Sequence, residues 1–312
     1  MTEKVIETMM LTKNYGDFTA VNKLNMDVME GEIFGFLGPN GAGKTTTILM
    51  LMGLSVPSSG TAVVGGYDII EQSREVRQVA SILPEYSSLY GELTAFQNLN
   101  YIGELNDIDK STREDKIEEL LKIVDMTDWR DAKLESFSRG MKQRIGIASA
   151  LIKEPKVLFL DEPTIGLDPV GTREIRELII QLNRKQGLTV VMTSHLLNEV
   201  QMTCSRVGII NSGNLVMTDT LANLSNDVNG LGERRVEFKL SEIPKNLAKN
   251  LEGIDGVKSV TVEADRLFVS GTPESDYHVS KSIVDHGAVI LIMRSKEYSL
   301  EEIFMKYYEE EN

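Results

Sequence analysis

The stretch FGFLGPNGAGKTTTILMLMG, Phe34 to Gly53, decides the architecture of this chain. It continues an apolar run, Ile33 to Leu37, that reads as a buried strand, and it ends in an apolar run that reads as a helix. Between the two, Gly38 to Thr45 fits G-x-x-x-x-G-K-[ST]. Strand, glycine-rich loop and helix follow in the order that turns successive backbone N–H groups and a helix N-terminus toward a phosphate. Gly38, Gly41 and Gly43 permit the tight turn, Lys44 brings a point charge for β- and γ-phosphates, and Thr45 offers its hydroxyl to Mg²⁺. The competing reading is a glycine-rich turn that merely precedes a lysine. The flanking strand and helix weigh against it.

Further along, PKVLFLDEPT (Pro155–Thr164) sets four apolar residues, Val157 to Leu160, before two acids. That is the pattern of a strand buried on both faces of a parallel sheet, polar only at its tip. Asp161 is placed to hold Mg²⁺, directly or through water, and Glu162 to polarise the water that attacks a γ-phosphate. A solvated pair closing a strand is the plainer reading, but GLDP follows at Gly166–Pro169 in a chain that already carries the phosphate loop. LTVVMTSH (Leu188–His195) is a third apolar strand and delivers His195 at its end. Alone, a histidine there is more often structural than catalytic. SFSRGMKQR (Ser136–Arg144) gathers Arg139, Lys142 and Arg144 without an acid, in a chain of formal net charge -14, so a negative partner is expected beside it.

The length, 312 residues, exceeds the usual single domain of roughly 100 to 200, and two domains are expected. Hydrophobic content of 41% and charged content of 26% are those of a globular protein. The apolar run Ile48 to Val56 is broken by Gly53 and Ser55 and falls short of the roughly 18 residues that span a bilayer. MTEKVIETMM lacks the regions of a signal peptide, so a cytoplasmic location is expected. The single cysteine, Cys204, allows no internal disulfide and reads as a small hydrophobe. The acidic balance makes nucleic acid an unexpected partner, because backbone affinity comes mostly from lysine and arginine.

Taken together, these motifs resemble the nucleotide-binding subunit of ATP-binding cassette (ABC) transporters, over residues 1 to about 225. The resemblance implies that Tyr15, in KNYGDFTAV, stacks on the adenine of ATP. It makes Gly38, Pro39, Asn40, Gly41, Ala42, Gly43, Lys44, Thr45 and Thr46 the Walker A loop, and Val157 to Glu162 the Walker B strand. SFSRGMKQR becomes the signature, with Ser138 and Gly140 meeting an ATP γ-phosphate. Asp168 becomes the D-loop residue at a dimer interface, and His195 the switch histidine at the γ-phosphate. Lys44, Glu162 and His195 form the implied catalytic set, and Thr45, Asp161 and Glu85 the implied Mg²⁺ set.

The implied fold is an α/β P-loop NTPase over residues 1–226, a RecA-like core with antiparallel β and helical subdomains. Its ligand sits at the carboxyl ends of a largely parallel sheet. Residues 86–150 approximately form the helical insert. There Ile117, Leu120, Leu121 and Val124 recur at helix spacing beneath a charged face.

Two motifs depart from the family pattern. Glu85, in ILPEYSSLYGELT, stands where the family most often has glutamine; it adds negative charge beside a triphosphate. It is expected to couple the nucleotide state to a partner and to tune hydrolysis. Where the family often reads L-S-G-G-Q, this chain reads Phe137, Ser138, Arg139, Gly140 and Met141: the serine and the close-approach glycine remain, and Arg139 and Met141 resemble variants of transporters whose ATPase and membrane subunits are separate chains.

From DVNGLGERR (Asp227–Arg235) onward the pattern changes, and residues 227–312 are expected to form an accessory domain. Strands read at Arg235–Leu240, Lys258–Val262, Arg266–Val269 and Ala288–Met293, with helices at Pro244–Leu251 and Asp276–Asp285, an α+β ferredoxin-like βαββαβ order. A last helix starts at Ser299 with Glu302 three residues on, a capping box, and carries Leu300, Ile303, Phe304, Tyr307 and Tyr308 as its stripe. This part resembles the small C-terminal domain of many exporter ATPases, and the resemblance implies a regulatory or dimer-stabilising role.

The resemblance therefore implies an ATP-hydrolysing subunit that dimerises head to tail with a second copy around two ATP. It would drive a separate polytopic permease at the inner face of the cell membrane, as an exporter. A soluble cassette ATPase acting on nucleic acid or ribosomes is the alternative, but such chains carry zinc cysteines, long coiled coils or two cassettes. A small-molecule kinase shares the phosphate loop without the other motifs.

Overall fold

The computed structural model describes residues 3–86, 89–221, 223 and 234–295. Chain contacts divide into two units, Met1–Thr220 and Leu221–Asn312.

The first unit opens with a long strand, β1 (Lys4–Tyr15), which turns through Gly16 into β2 (Phe18–Leu24) and then β3 (Asp27–Met29). Next come β4 (Ile33–Leu37), helix α1 (Lys44–Leu51), and the strands β5 (Ser59–Val64) and β6 (Tyr67–Asp68). β1 pairs antiparallel with β2, β3 and β5, and β5 with β6, giving an antiparallel layer. Burial in β1 breaks strict alternation, Val5 and Ile6 both being covered and Met9 and Met10 both exposed, in a strand whose pairings carry register shifts.

After α2 (Ser73–Val79) and β7 (Ala80–Leu83) come three longer helices: α3 (Ala95–Leu105), α4 (Lys110–Ile123) and α5 (Arg139–Leu151). Each starts on a side-chain cap. Thr94 and Gln97 close a reciprocal capping box on α3, Asp109 caps α4, and Ser138 caps α5. Ile117, Leu120, Leu121 and Val124 are all buried, on the face their spacing predicts.

The chain returns to the core through β8 (Val157–Leu160), α6 (Pro169–Gln186), β9 (Thr189–Ser194), α7 (Leu197–Thr203), β10 (Arg206–Asn211) and β11 (Asn214–Thr220). The central sheet runs β11-β10-β4-β9-β8-β7, parallel except for the β11 edge. β4 and β8 are buried at every position; on one face Phe34, Phe36, Val157 and Phe159 pack in a core shared with α1 and the antiparallel strands. The register decides where chemistry can sit. Leu37 pairs with Ser194, Leu160 with Met192, and Leu83 with Leu160. The carboxyl ends of β4, β7, β8 and β9 thus finish side by side, and the loops leaving them carry the sequence motifs.

Cys204 is buried where α7 ends. A Cβ added to Gly35 of β4 would stand 3.0 Å from its Sγ, so β4 requires glycine under this helix. Burial pushes the Cys204 thiol pKa far above its ordinary value.

The second unit is a four-stranded antiparallel sheet with two helices: β12 (Arg234–Leu240), α8 (Leu247–Glu252), β13 (Val257–Glu263), β14 (Arg266–Gly271), α9 (Ser275–Asp285) and β15 (Ile290–Ser295). Its order, β13-β14-β12-β15, is the ferredoxin-like arrangement. Val236, Phe238 and Leu240 pack with Leu267 and Val269 against Leu247, Leu251, Val279 and Ile283. α8 begins three residues later than the sequence pattern indicates, because Asn246 takes a left-handed φ of 71° before it. The terminal helix expected from Ser299 lies outside the described residues, as does most of Asp227–Arg235.

On β12, Glu237 is buried and its carboxylate accepts from Arg294 and Arg266, which hold it below the usual carboxylate range. A depressed carboxylate stabilises the fold above its unfolded pKa, and that contribution is lost as pH falls through the lower folded pKa. Glu237→Gln is therefore expected to lower the melting temperature at pH 7, with the deficit against the parent shrinking toward pH 3. Thermal melts of both full-length chains across that range check it.

Candidate functional site

The loop between β4 and α1 is shaped by contacts that exclude a side chain. A Cβ on Gly38 would meet the carbonyl oxygen of Ile210 at 2.3 Å, and one on Gly43 would meet that of Ala20 at 2.3 Å. Gly43 also takes φ 105° as it leads into α1. The loop faces a cleft of about 400 Å³, the size range of small-molecule sites, lined by Tyr15, Asn40, Gly41, Gly43, Lys44, Thr45, Thr46, Glu85 and Glu162, together with Phe18 and Ala20.

The floor of the site is one hydrogen-bonded cluster from three elements. Lys44 Nζ donates to the carbonyls of Gly38 (2.7 Å) and Pro39 (3.1 Å) and stands 3.3 Å from Glu162 Oε1. Both side chains are nearly inaccessible to solvent, so each is the other's main charge compensation. Thr45 Oγ1 donates to Asp161 Oδ2 (2.8 Å), and Thr193 Oγ1 to Asp161 Oδ1 (2.6 Å). The Glu162 amide donates to Thr193 Oγ1 (2.9 Å), and Glu162 Oε2 lies 2.9 Å from His195 Nδ1.

Glu162 adopts φ 50°, a left-handed conformation that costs a non-glycine residue on the order of 1–3 kcal/mol. Its Oε1 is buried and accepts no hydrogen bond. That leaves a carboxylate oxygen whose near neighbour is the Lys44 ammonium and whose lone pairs no hydrogen bond uses, at the edge of the cleft. An acceptor of this kind can take a proton from a bound water.

Thr45 and Asp161 offer hard oxygen donors in contact with each other, which suits Mg²⁺. Among the described residues no group of three or more His, Cys, Asp or Glu side chains could hold a metal on its own. A metal at Thr45 and Asp161 would thus take most of its ligands from phosphate and water.

Other sequence-predicted residues lie at or off the cleft. Tyr15 is half exposed at its rim with Lys13 Nζ 5.1 Å from its ring centre. Glu85 lines the cleft, accepts from the Tyr86 hydroxyl and raises that phenol's pKa above its ordinary value. Gly38, Pro39, Ala42 and Asp161 support the floor without lining it. Ser138, Gly140 and Asp168 do not line the cleft. Ser138 and Asp168 are exposed and cap helices, accepting from the amides of Met141 (3.3 Å) and Gly171 (2.7 Å). Around Gly140 a Cβ would find no atom closer than 4.0 Å.

Of the three cations in the basic stretch, Arg144 meets an acid of its own chain. Arg144 donates to the Val124 carbonyl (2.8 Å) and to Glu174 (3.1 Å), tying the end of α4 to α6. Arg139 lies on Gly166, where a Cβ would stand 2.3 Å from its Nη1.

Phe18, Ala20 and Thr193 were not singled out by sequence. Phe18 could have been found from the Tyr15-Gly-Asp-Phe18 hairpin, which pairs the two aromatics across strands. Thr193 gave no signal, because a threonine in an apolar strand reads as β-branched filler.

Residues 21–165 match the protein-family model described as ABC transporter. The linearmycin resistance ATP-binding protein LnrL of Bacillus subtilis is 34% identical over 299 residues, 95% of each chain. The bacitracin transport ATP-binding protein BcrA of Bacillus licheniformis is 37% identical over 304 residues, 97% of this chain and 96% of that one. Both matches extend through the second unit. Among solved structures, CbiO1 of Clostridium perfringens, part of the ABC transporter complex CbiONQ, superposes with a TM-score of 0.65 at 27% identity, covering 73% of this chain and 95% of that one. A dimeric bacterial ABC transporter cassette gives 0.62 at 25% identity, over 69% and 98%.

Proposed function

The chain belongs to the ABC transporter family as an ATP-binding subunit, and on that premise we propose that it hydrolyses ATP as a head-to-tail dimer driving a separate membrane permease. The observation that carries this reading is the split of the motifs. Lys44, Thr45, Asp161, Glu162 and His195 gather around one cleft, while Ser138 and Gly140 stand on an exposed helix start outside it. A second copy that brings its Ser138 and Gly140 to this cleft completes a site that one chain leaves half built.

In that site the loop amides and Lys44 bind the phosphates, and Tyr15 stacks on the base. Glu162 Oε1 accepts the proton of the attacking water, and His195, hydrogen-bonded to the other oxygen, orients the carboxylate toward the γ-phosphate. Mg²⁺ held by Thr45 and Asp161 supplies charge neutralisation on the phosphates when bound. Closure on ATP and opening after hydrolysis then do the mechanical work.

Export is the favoured direction, since relatives named for linearmycin resistance and bacitracin transport match over nearly the whole chain, accessory unit included. Among the described residues no helix is long and apolar enough to cross a membrane, so attachment to the inner face of the cell membrane falls to the permease. Ser138→Arg tests the dimer. The variant should bind ATP as the parent does, because Ser138 is remote from its own cleft, yet lose ATP-dependent dimerisation and at least about 10-fold of hydrolysis. Light scattering with and without ATP checks it, and a variant that still dimerises would count against the head-to-tail site. Recovery of the parent chain from membranes with a polytopic subunit separates the transporter from a cassette acting on ribosomes or nucleic acid.

A further inference from the structure

We infer that Thr193 is the positioning residue that sets both acids of the site, Asp161 through its carboxylate and Glu162 through its backbone. This goes beyond the hydrolytic reading above and rests on it for its kinetic part alone.

Thr193 is fully buried near the end of β9, and its hydroxyl has one proton and two lone pairs. The direction of each bond is forced. An ionised Asp161 only accepts, so Thr193 Oγ1 gives it the proton, at 2.6 Å from Oδ1. A backbone amide only donates, so the second contact, 2.9 Å, carries the Glu162 N–H to the same oxygen. One atom thereby fixes two neighbouring residues whose chemistry differs.

The need for such a clamp follows from the backbone. Glu162 sits at φ 50°, outside the comfortable range of a side-chain-bearing residue, and a strained turn relaxes unless its surroundings hold it. It is held twice, by the amide at Thr193 of β9 and by the carboxylate at His195 just past the strand's end. Asp161 is likewise held at both oxygens, by Thr45 from α1 and by Thr193 from β9. When the Thr45 hydroxyl turns to another ligand, the Thr193 bond is the one that keeps Asp161 in place. Supporting partners of this kind typically set 10- to 100-fold in metal affinity or activity.

Two variants separate hydroxyl from shape. Thr193→Val keeps the branched volume facing Phe36 across β4 and removes the hydroxyl; Thr193→Ser keeps the hydroxyl. For Thr193→Val, kcat should fall about 10- to 100-fold, and the Mg²⁺ concentration that half-saturates its ATP binding should rise by a similar factor. ATP binding in EDTA should be unchanged, because Thr193 does not line the cleft. Thr193→Ser should stay within about 3-fold of the parent in both, since the hydroxyl that carries the effect is retained.

Unchanged kcat and Mg²⁺ dependence in Thr193→Val, or equal damage in Thr193→Ser, would overturn the assignment. Amide hydrogen exchange, read without nucleotide or metal, tests the bond directly: Glu162 N–H should be slow in the parent and faster in Thr193→Val. A fast-exchanging Glu162 amide in the parent would overturn the assignment even if Thr193→Val proves too unstable to assay. An inactive parent chain, by contrast, would strike the hydrolytic reading and leave the exchange result standing.

Discussion

Glu162→Gln is expected to lower steady-state ATP hydrolysis by about 10²- to 10⁴-fold while leaving ATP binding intact, the range lost when a positioned general base is removed. The amide matches the carboxylate in shape, so packing at this nearly inaccessible position survives. What disappears is the basic lone pair of Oε1, which is buried and accepts no hydrogen bond. Because binding energy persists while its discharge is blocked, the variant should accumulate as an ATP-bound dimer. Single-turnover and steady-state assays with light scattering measure both halves, and rapid multiple turnover would contradict the assignment of the base.

Lys44→Met should be the more damaging change to the fold. In the nucleotide-free chain Lys44 Nζ lies 3.3 Å from Glu162 Oε1, and its removal strands a buried carboxylate, which costs about 3–5 kcal/mol. It also removes donors to the Gly38 and Pro39 carbonyls, and the phosphates lose their point charge. ATP affinity, hydrolysis and melting temperature should all fall together. Adding Glu162→Gln to Lys44→Met removes the stranded charge, so the double variant should melt above the single one and remain inactive. Strictly additive melting effects would show that the two side chains do not compensate each other.

How far the sequence could be read depended on whether a feature was local. The strand, loop and helix at Ile33–Leu51 follow from apolar run and glycine spacing, and Val157–Leu160 from an unbroken apolar stretch; the structure has both. The βαββαβ order of the second unit was legible because strand alternation and helix spacing follow one another there without ambiguity. Lys44, Thr45, Asp161, Glu162 and His195 were legible as motif members. Their mutual contacts were not, since those depend on which strands lie side by side and in what register. Arg144 shows the same limit. Its partner Glu174 lies on the next helix of the chain, and nothing in SFSRGMKQR announces it. Thr193 is the sharpest case, a hydroxyl whose role exists only once β9 lies beside β8.

The inert Cys204 has an experimental consequence. It is the chain's only cysteine, buried against β4 with its thiol held protonated by its surroundings, and so a poor nucleophile toward maleimide dyes and spin labels. A thiol introduced at an exposed position outside the motifs assigned to the dimer, such as Lys122 on α4, would then carry nearly all of the label without any background substitution. Inter-probe distances between two copies could be recorded through the nucleotide cycle on an otherwise native chain.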